Sequence, residues 1–149
     1  MEVILLIQRF EDFVTGITVC HKYIQRIKSA EMTEFGLKGT HVMCLYFLNR
    51  SGSLTAAQLC QLCGEDKAAI SRTLAALQKE GYIASEPKKY RALLHLTESG
   101  RCVAQQVDGL IAQWVSFGGD GLTEEERTIF YRVLGHIAEN LRTKIEEQK

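Results

Sequence analysis

Two long cations stand among alanines on one face of a short predicted helix that begins near Lys67. At 100° per residue, Arg72 and Lys79 fall on the same side as Ala68 and Ala75. The small alanine side chains would let the helix backbone approach a flat polyanion while the two cations reach past them. This arrangement suits the major groove of DNA. A solvated amphipathic helix that carries cations only for solubility explains the same face, so the neighbouring segments must decide.

Cys60 and Cys63 form a C-x-x-C pattern, which is typical of redox and zinc sites. Both fall on an i, i+3, i+4, i+7 stripe with Ala56 and Leu59, which predicts that they lie on the buried side of a helix. No second Cys or His pair stands at zinc-finger spacing, and the four histidines form neither H-E-x-x-H nor an i, i+4 pair. We therefore interpret the two thiols as core residues and expect no catalysis, metal or cofactor.

Two predicted helices around a tight turn position the face of alanines and cations. Thr55 and Gln58 form a capping box at the start of the first helix. Gly64 supplies a left-handed residue for its end, and Asp66 can cap the second helix. Gly81 then predicts the end of the second helix and a return to extended chain. The residues expected to face the core are Ile70, Thr73, Leu74 and Leu77.

The next segment predicts two short strands joined by a basic turn. The turn carries Lys88, Lys89 and Arg91, and apolar residues alternate from Ala92 to Leu96 in the strand that follows. A helix-turn-helix followed by a basic hairpin is a winged helix, in which the hairpin lies beside the helix that enters the groove. A solvent-exposed loop would explain the lysines but not their position after such a pair of helices.

The charge distribution agrees with a local nucleic-acid surface. The 149 residues balance 18 Lys and Arg against 18 Asp and Glu, which argues against a generally basic protein. Residues 55–91 hold six basic and four acidic residues, whereas residues 92–149 hold six and nine. The basic excess therefore lies in the predicted helix-turn-helix and wing. A hydrophobic content of 46% is ordinary for a globular protein that buries a core.

The sequence gives no signal for export or membrane insertion. The apolar run of residues 3–7 is shorter than a signal-peptide core and lacks a preceding positive stretch. No other stretch is long and apolar enough to span a bilayer. Five cysteines, an odd number, then indicate reduced thiols. We expect a cytoplasmic protein with no membrane partner.

Long helices are predicted on both sides of the winged helix. Residues 1 to about 29 carry apolar residues at helical intervals. Thr40 is expected to cap a following helix that reaches about Arg50. Beyond the wing, Thr97 and Thr123 are expected to cap the last two helices, which are separated by glycines near Gly118.

The terminal helices are apolar over more length than a winged-helix core can cover. Their surplus apolar surface is therefore expected to pack against a second copy of the chain. The alternative is a monomer that folds these helices onto its own core.

A set of short motifs follows a fixed order between Gly36 and Gly100. They are the run GLKGTHVMCLYFLNRSGSLT, then Leu54-Thr55, Gln58-Leu59, Ile70-Ser71-Arg72, Leu77, Gly81-Tyr82-Ile83 and Leu96-Thr97. In this order the chain resembles the MarR family of bacterial transcription regulators, and the flanking helices fit too. The family's wing usually carries an Asp-Arg-Arg run in a longer loop, whereas Lys88, Lys89 and Tyr90 stand there in this sequence.

The resemblance implies a mainly α fold with a small β-hairpin wing. It implies one domain, with a winged helix-turn-helix core over residues 37–97 and dimerisation helices over residues 1–36 and 98–149. The implied function is a ligand-responsive transcription regulator, most often a repressor, that binds a pseudo-palindromic double-stranded DNA operator as a homodimer. The residues expected to contact DNA are Lys67, Ala68, Ser71, Arg72, Ala75, Lys79, Lys88, Lys89 and Arg91.

The resemblance further implies a cavity for a small-molecule effector. Its candidate lining residues are His21, Tyr46, Phe47 and Trp114, although core packing explains each of them equally well. Some family members bind zinc, and some sense oxidants through a cysteine of the first helix, which draws attention to Cys20 beside His21. Because Cys20 falls on the apolar stripe, we expect a buried, unreactive thiol.

Two other classes of function remain open. A metal or thiol sensor would use Cys20, His21 or the Cys60/Cys63 pair, and its metal content would separate it from a ligand-responsive regulator. A winged-helix module that binds a protein in place of DNA would show no salt-dependent operator binding.

Overall fold

The structure, a computed structural model, describes residues 1–88 and 90–149. Its helices are α1 (Glu2–Met32), α2 (Gly39–Ser51), α3 (Ala56–Cys63), α4 (Lys67–Lys79), α5 (Glu98–Gly118) and α6 (Glu124–Glu146). Its strands are β1 (Ser53–Leu54), β2 (Ile83–Ser85) and β3 (Leu94–Leu96), and a short 3₁₀ turn (Thr33–Phe35) follows α1. The chain divides into two compact units, residues 1–110 and residues 111–149. The predicted fold class, mainly helical with a small hairpin, is confirmed.

The strands form an antiparallel sheet in the order β1-β3-β2. Ile83 pairs with Leu96 in the hairpin, and Leu54 pairs with Leu94 on the other side of β3. The sequence predicted the two hairpin strands but not β1. A strand of two residues is too short to show the alternation that identifies strands, and its partner lies about forty residues further along the chain.

The hydrogen bonds predicted around the helix-turn-helix are all present. The Thr55 hydroxyl accepts the Gln58 N–H at 3.2 Å, and the Gln58 side chain accepts the Thr55 N–H at 2.8 Å. Gly64 follows α3 with a φ of 65°, in the left-handed region that glycine tolerates. The Asp66 carboxylate accepts the Ala69 N–H at 2.7 Å and so caps α4. Local side-chain chemistry therefore sets both ends of the turn.

The end of α4 is fastened to the start of α5. Gly81, with a φ of 78°, donates its N–H to Gln78, and Tyr82 donates to Leu77, which together form a Schellman C-cap. The Thr97 hydroxyl donates to the Gly81 carbonyl at 2.6 Å and accepts the Gly100 N–H at 3.0 Å. The predicted C-cap of α4 at Gly81 and the predicted N-cap of α5 at Thr97 are thus joined by a hydrogen bond.

The core of residues 1–110 lies under the inward side of α4. All four side chains predicted to face inward are buried, and they pack in a core with residues of α2 and α3. The Thr73 hydroxyl lies 3.4 Å from the Thr40 hydroxyl, which gives this buried polar group a partner. The fully buried residues that share this core are Val42, Leu45, Leu48, Leu59, Ile70 and Leu77.

The predicted cap of α2 is wrong. The helix begins at Gly39, so Thr40 lies inside its first turn and Lys38 is the N-cap residue. The Nδ1 atom of His41 accepts the Lys38 N–H at 3.0 Å. Burial, with a smaller contribution from Lys38, lowers the pKa of His41, so the imidazole stays neutral and can accept this hydrogen bond. A histidine in this role gives no standard capping signal in the sequence.

The stripe predicted to be buried along α3 is only partly covered. Leu59 is fully buried, whereas Cys60 and Cys63 are half-buried and Ala56 is exposed, so the prediction for Ala56 is wrong. A helix of eight residues meets the core mainly through its middle. The Cys63 sulfur lies 4.0 Å from that of Cys44 in α2.

Helix α1 leaves its apolar stripe exposed in the single chain. Lys28 and Met32, near its C-terminal end, are its only buried residues. Cys20 is exposed, which contradicts the prediction of a buried thiol. The reason is that the apolar stripe continues beyond the part of α1 that packs within this unit.

The unit of residues 111–149 is held by local hydrogen bonds. Thr123 and Glu126 form the predicted capping box of α6, with distances of 3.1 and 2.8 Å. The Arg127 guanidinium donates to the Gly119 carbonyl at 2.6 Å and fixes the glycine-rich turn before α6. Helix α6 has no buried residue, and its apolar side chains are exposed or half-buried.

Candidate nucleic-acid interface

The outward side of α4 presents a continuous exposed stripe. Because its opposite side is fixed in the core, the side that faces solvent is determined by the same periodicity. Cations alternate with small side chains, so the helix backbone is accessible between the long side chains. The exposed residues of the stripe are Lys67, Ala68, Ser71, Arg72, Ala75, Gln78 and Lys79.

The cations of this stripe are available to an anionic partner. Within residues 1–88 and 90–149, the ion pairs of Lys and Arg join only residues of α6 to each other. Lys67, Arg72 and Lys79 therefore have no carboxylate partner among those residues. Asp66, which precedes Lys67, is occupied by the Ala69 N–H. A polyanion would not have to displace an existing ion pair from α4.

The hairpin that joins β2 to β3 carries a second group of cations. Lys88, Tyr90 and Arg91 are exposed, and Lys89 lies outside the described residues. The Arg91 guanidinium lies 5.3 Å from the centre of the Tyr90 ring, a cation–π distance. Arg91 has a φ of 51°, so the backbone turns sharply at this position. We call the residues from Glu86 to Leu93 the wing tip.

The wing tip is anchored to the same core as α4. The Glu86 N–H donates to the Leu93 carbonyl at 3.0 Å and extends the hairpin ladder by one bond. Leu94 and Leu96 of β3 are buried, while His95 between them is exposed, so one face of the strand packs inward. Strand β2 begins directly after Tyr82, which takes part in the Schellman C-cap of α4. The outward stripe of α4 and the wing tip are therefore held in place by the same hydrophobic core.

Both the sequence and the fold of the chain resemble known proteins. Residues 35–92, which contain α3, α4 and most of the hairpin, match the model of the MarR family. This segment is therefore similar to the MarR family. A search of curated proteins found no match to the sequence.

Over most of its length the chain has the fold of solved MarR structures. A MarR protein from Peptoclostridium difficile superposes with a TM-score of 0.83 at 17% identity, covering 93% of this chain and 92% of that one. The transcriptional regulator SlyA gives 0.85 at 18%, covering 93% and 99%. A putative MarR regulator from Listeria monocytogenes, solved with a 26mer DNA, gives 0.83 at 21%, covering 88% and 89%. SlyA and the Listeria monocytogenes protein are described as transcriptional regulators.

The residues predicted for a MarR-type effector cavity lie in three helices. His21 is exposed on α1, and Trp114 is half-buried on α5. Tyr46 and Phe47 are half-buried on α2, with ring centres 5.3 Å apart in an edge-to-face pair. None of the four lines the open cleft of about 530 Å³ in residues 111–149, which is formed by α5 and the turn after it. Their role in effector binding stays a prediction.

Sequence reasoning missed two exposed residues beside the predicted DNA contacts. Gln78 completes the stripe of α4 one turn after Ala75, and its helical position could have identified it. Tyr90 holds the Arg91 guanidinium, an interaction that no pattern in the sequence indicates.

Within residues 1–88 and 90–149, the structure has neither a candidate metal-binding cluster nor a candidate membrane span. No group of three or more His, Cys, Asp or Glu side chains there is arranged to hold a metal ion. None of the helices in that part of the chain combines the length and apolar character of a membrane span.

Proposed function

We propose that this chain is a ligand-responsive transcription regulator that binds a pseudo-palindromic DNA operator as a homodimer in the cytosol. The observation that carries the proposal is the outward stripe of α4, which is exposed, cationic and without ion pairs among the described residues. Such a dimer most simply acts as a repressor, because it occupies the DNA that it binds.

Helix α4 has the shape and chemistry of a major-groove reader. The groove is about 12 Å wide and admits one α-helix. Arg72 lies at the middle of the stripe between Ala68 and Ala75, so its guanidinium can reach a guanine edge and form two hydrogen bonds. Ser71 and Gln78, on the same side, can form hydrogen bonds with bases or phosphates. The DNA in the Listeria monocytogenes structure of the same fold supports this assignment.

The wing tip supplies contacts of a different kind. Lys88 and Arg91 are exposed in a hairpin rooted beside α4, and Lys89 carries a third cation in the same segment. Flexible cations at this position meet phosphate oxygens or the minor groove and hold the protein on the duplex. The wing tip therefore contributes affinity, and α4 contributes sequence preference.

The homodimer is supported by apolar surface on each unit. In α1 the exposed side chains include Phe10, Val14 and Ile17, and in α6 they include Leu141 and Ile145. An exposed apolar stripe along a whole helix exceeds what a monomer normally leaves in water. Two-fold pairing of identical stripes would bury them and would present two copies of α4 to one side of a duplex.

The ligand response is the part of the proposal that rests on similarity to the MarR family. His21, Tyr46, Phe47 and Trp114 are proposed to line the effector site. An effector would act by favouring one conformation of the dimer over another through its differential affinity.

The test of DNA binding is a selection of bound sequences from random duplex DNA. We expect an inverted repeat whose half-sites are centred about 10 bp apart, or a multiple of that spacing, because both α4 helices must face the same side of the duplex. Repeated rounds that enrich no sequence would contradict the proposal and favour a winged-helix module that binds a protein.

Lys88→Ala is expected to weaken binding to all duplexes to a similar degree, since an interaction with phosphate carries no sequence information. The slope of log K against log salt should fall by about one for each lysine–phosphate interaction removed, or about two per dimer. Fluorescence anisotropy at several salt concentrations measures both effects. Lys149→Ala, which removes an exposed lysine at the end of the chain, is the matched control and should change neither value. A loss of affinity restricted to the selected operator would show that Lys88 reads bases.

Leu141→Glu combined with Ile145→Glu is expected to convert the dimer into a monomer. These side chains are 54% and 60% exposed in the single chain, so carboxylates there do not disturb the fold but would be buried without partners in a dimer. Sedimentation velocity measures the change. Thr128→Glu, on the opposite side of α6, should leave the dimer intact. A folded double variant that sediments as wild type would contradict dimerisation through this stripe.

A further inference from the structure

Two cysteines that are distant in sequence lie side by side in the core. The Sγ atoms of Cys44 in α2 and Cys63 in α3 are 4.0 Å apart, although the residues are 19 positions apart. Cys44 is fully buried, whereas Cys63 is half-buried at the last residue of α3. The pair therefore combines a cysteine that is partly open to solvent with one that solvent does not reach.

The surroundings make the two sulfurs chemically unequal. The hydrogen bond from Cys44 lowers the pKa of Cys63, and the positive charge of Lys28 acts in the same direction. The same hydrogen bond, followed by burial, raises the pKa of Cys44 far above its usual range. Cys44 therefore keeps its proton and donates it toward Cys63. Burial and, to a smaller extent, Glu65 raise the pKa of Cys63, but the hydrogen bond from Cys44 outweighs them.

The ammonium of Lys28 supports this pair from a third helix. Lys28 is one of the two buried residues of α1 and is only 7% exposed. Burial lowers the pKa of Lys28, while Glu65 and Cys63 raise it. A buried lysine is costly unless an anion lies close to it. A thiolate at Cys63, together with Glu65, supplies that anionic charge.

We propose that Cys44 and Cys63 form a redox-active dithiol that a hydroperoxide converts into an intramolecular disulfide. The thiolate of Cys63 attacks the outer oxygen of the hydroperoxide, the O–O bond breaks, and the alkoxide leaves and takes a proton. Cys63 is then a sulfenic acid. The Cys44 sulfur attacks the Cys63 sulfur, its own proton and the hydroxyl group leave as water, and the S–S bond forms. The hydroperoxide is reduced to an alcohol as the two thiols lose two electrons.

The short distance between the sulfurs makes this closure accessible. A disulfide requires about 2 Å between the sulfurs, so they must approach by about 2 Å from their separation in the reduced chain. Rotation about the Cα–Cβ bonds together with a small shift of the last turn of α3 provides this movement. Cys60 is half-buried one turn earlier in α3, and it lies on the same helix as Cys63 rather than across from it.

Disulfide formation would act on the reader helix through the turn between α3 and α4. Cys63 lies three residues before Asp66, whose carboxylate caps α4. Drawing the end of α3 toward α2 moves this turn and therefore the start of α4, where Lys67, Ala68 and Ser71 lie. The oxidised dimer is therefore expected to have lower affinity for its operator, an expectation that rests on the proposed function.

The first test measures the disulfide without DNA. In full-length protein that carries Cys20→Ser and Cys102→Ser, which remove the exposed thiols, one equivalent of cumene hydroperoxide should cause the loss of two hydrogen atoms by intact mass. Peptide mapping should join the peptides of Cys44 and Cys63. Adding Cys60→Ser to this background should leave the product unchanged, whereas adding Cys63→Ser should prevent it.

Removing the buried sulfur separates the two chemical steps. In the same background, Cys44→Ala should stop at the Cys63 sulfenic acid, which dimedone traps, and should form it more slowly because the hydrogen bond from Cys44 is lost. Cys44→Ser provides a second variant if the alanine variant unfolds, and thermal unfolding identifies the folded one. Absence of the mass loss in the background protein, or its persistence after removal of Cys44 or Cys63, would overturn the proposal.

The second test measures operator binding by the same samples. The oxidised protein should bind the selected duplex with about tenfold lower affinity, and dithiothreitol should restore binding. Unchanged affinity in protein shown by mass to carry the disulfide would overturn the regulatory part. Reduced protein that binds no duplex would instead contradict the proposed DNA-binding function, and the mass measurement would still decide whether the disulfide forms.

Discussion

Replacing Gly100 with alanine is expected to destabilise the protein by about 3 kcal/mol. A methyl group there would overlap the carbonyl oxygen of Tyr82 and lie within 3 Å of the carbonyl carbon. Neither atom can rotate away, because both belong to backbone that Thr97 fixes by hydrogen bonds to Gly81 and Tyr82. The higher helix propensity of alanine, worth about 1 kcal/mol, does not offset this overlap. The end of α4 and the start of α5 would have to separate.

Urea denaturation provides the measurement for Gly100→Ala, with Gly109→Ala as the control. Gly109 is an exposed glycine of the same helix, and a methyl group there would meet no atom within 4 Å. Gly109→Ala should therefore be neutral or stabilising by up to about 1 kcal/mol. If both variants unfold at the same denaturant concentration as wild type, the close approach of α5 to Tyr82 is not a constraint on the fold.

Arg72→Ala is expected to cost roughly 1 to 3 kcal/mol of discrimination at one base pair in each half-site. Arg72 stands at the centre of the exposed stripe with an alanine one turn before it, and it has no acidic partner among the described residues. Its guanidinium can therefore form two hydrogen bonds with one guanine. Arg72→Lys keeps the charge but not the paired geometry, so it should lose specificity while retaining most of the general affinity.

The helix caps at Thr55, Asp66, Gly81 and Thr123 could be predicted because they are local. Thr55, Asp66 and Thr123 each satisfy a backbone N–H three residues away, and Gly81 supplies a left-handed conformation at the position where the helix ends. Helical periodicity in turn gave the buried and exposed sides of α4. These features depend on residues within one or two turns of each other, so the sequence contains nearly all the information they need.

The features that sequence reasoning missed depend on packing between distant residues. Strand β1 exists because Leu54 pairs with Leu94, and the pairing of the thiols crosses from α2 to α3. The C-x-x-C pattern indicated Cys60 as the neighbour of Cys63, whereas the fold brings Cys44 to it. Cys20 was wrongly predicted to be buried because an apolar stripe does not reveal whether its partner surface belongs to the same chain.

The most direct measurement of DNA reading by α4 is a titration of wild type and Arg72→Ala against the selected operator and a scrambled duplex. Fluorescence anisotropy is recorded at several salt concentrations for each combination of protein and duplex. Wild type should prefer the operator at every salt concentration, and Arg72→Ala should lose much of that preference while keeping its affinity for the scrambled duplex within a few fold. Full discrimination by Arg72→Ala, or no binding of either duplex by wild type, would contradict the assignment of α4 as the DNA reader.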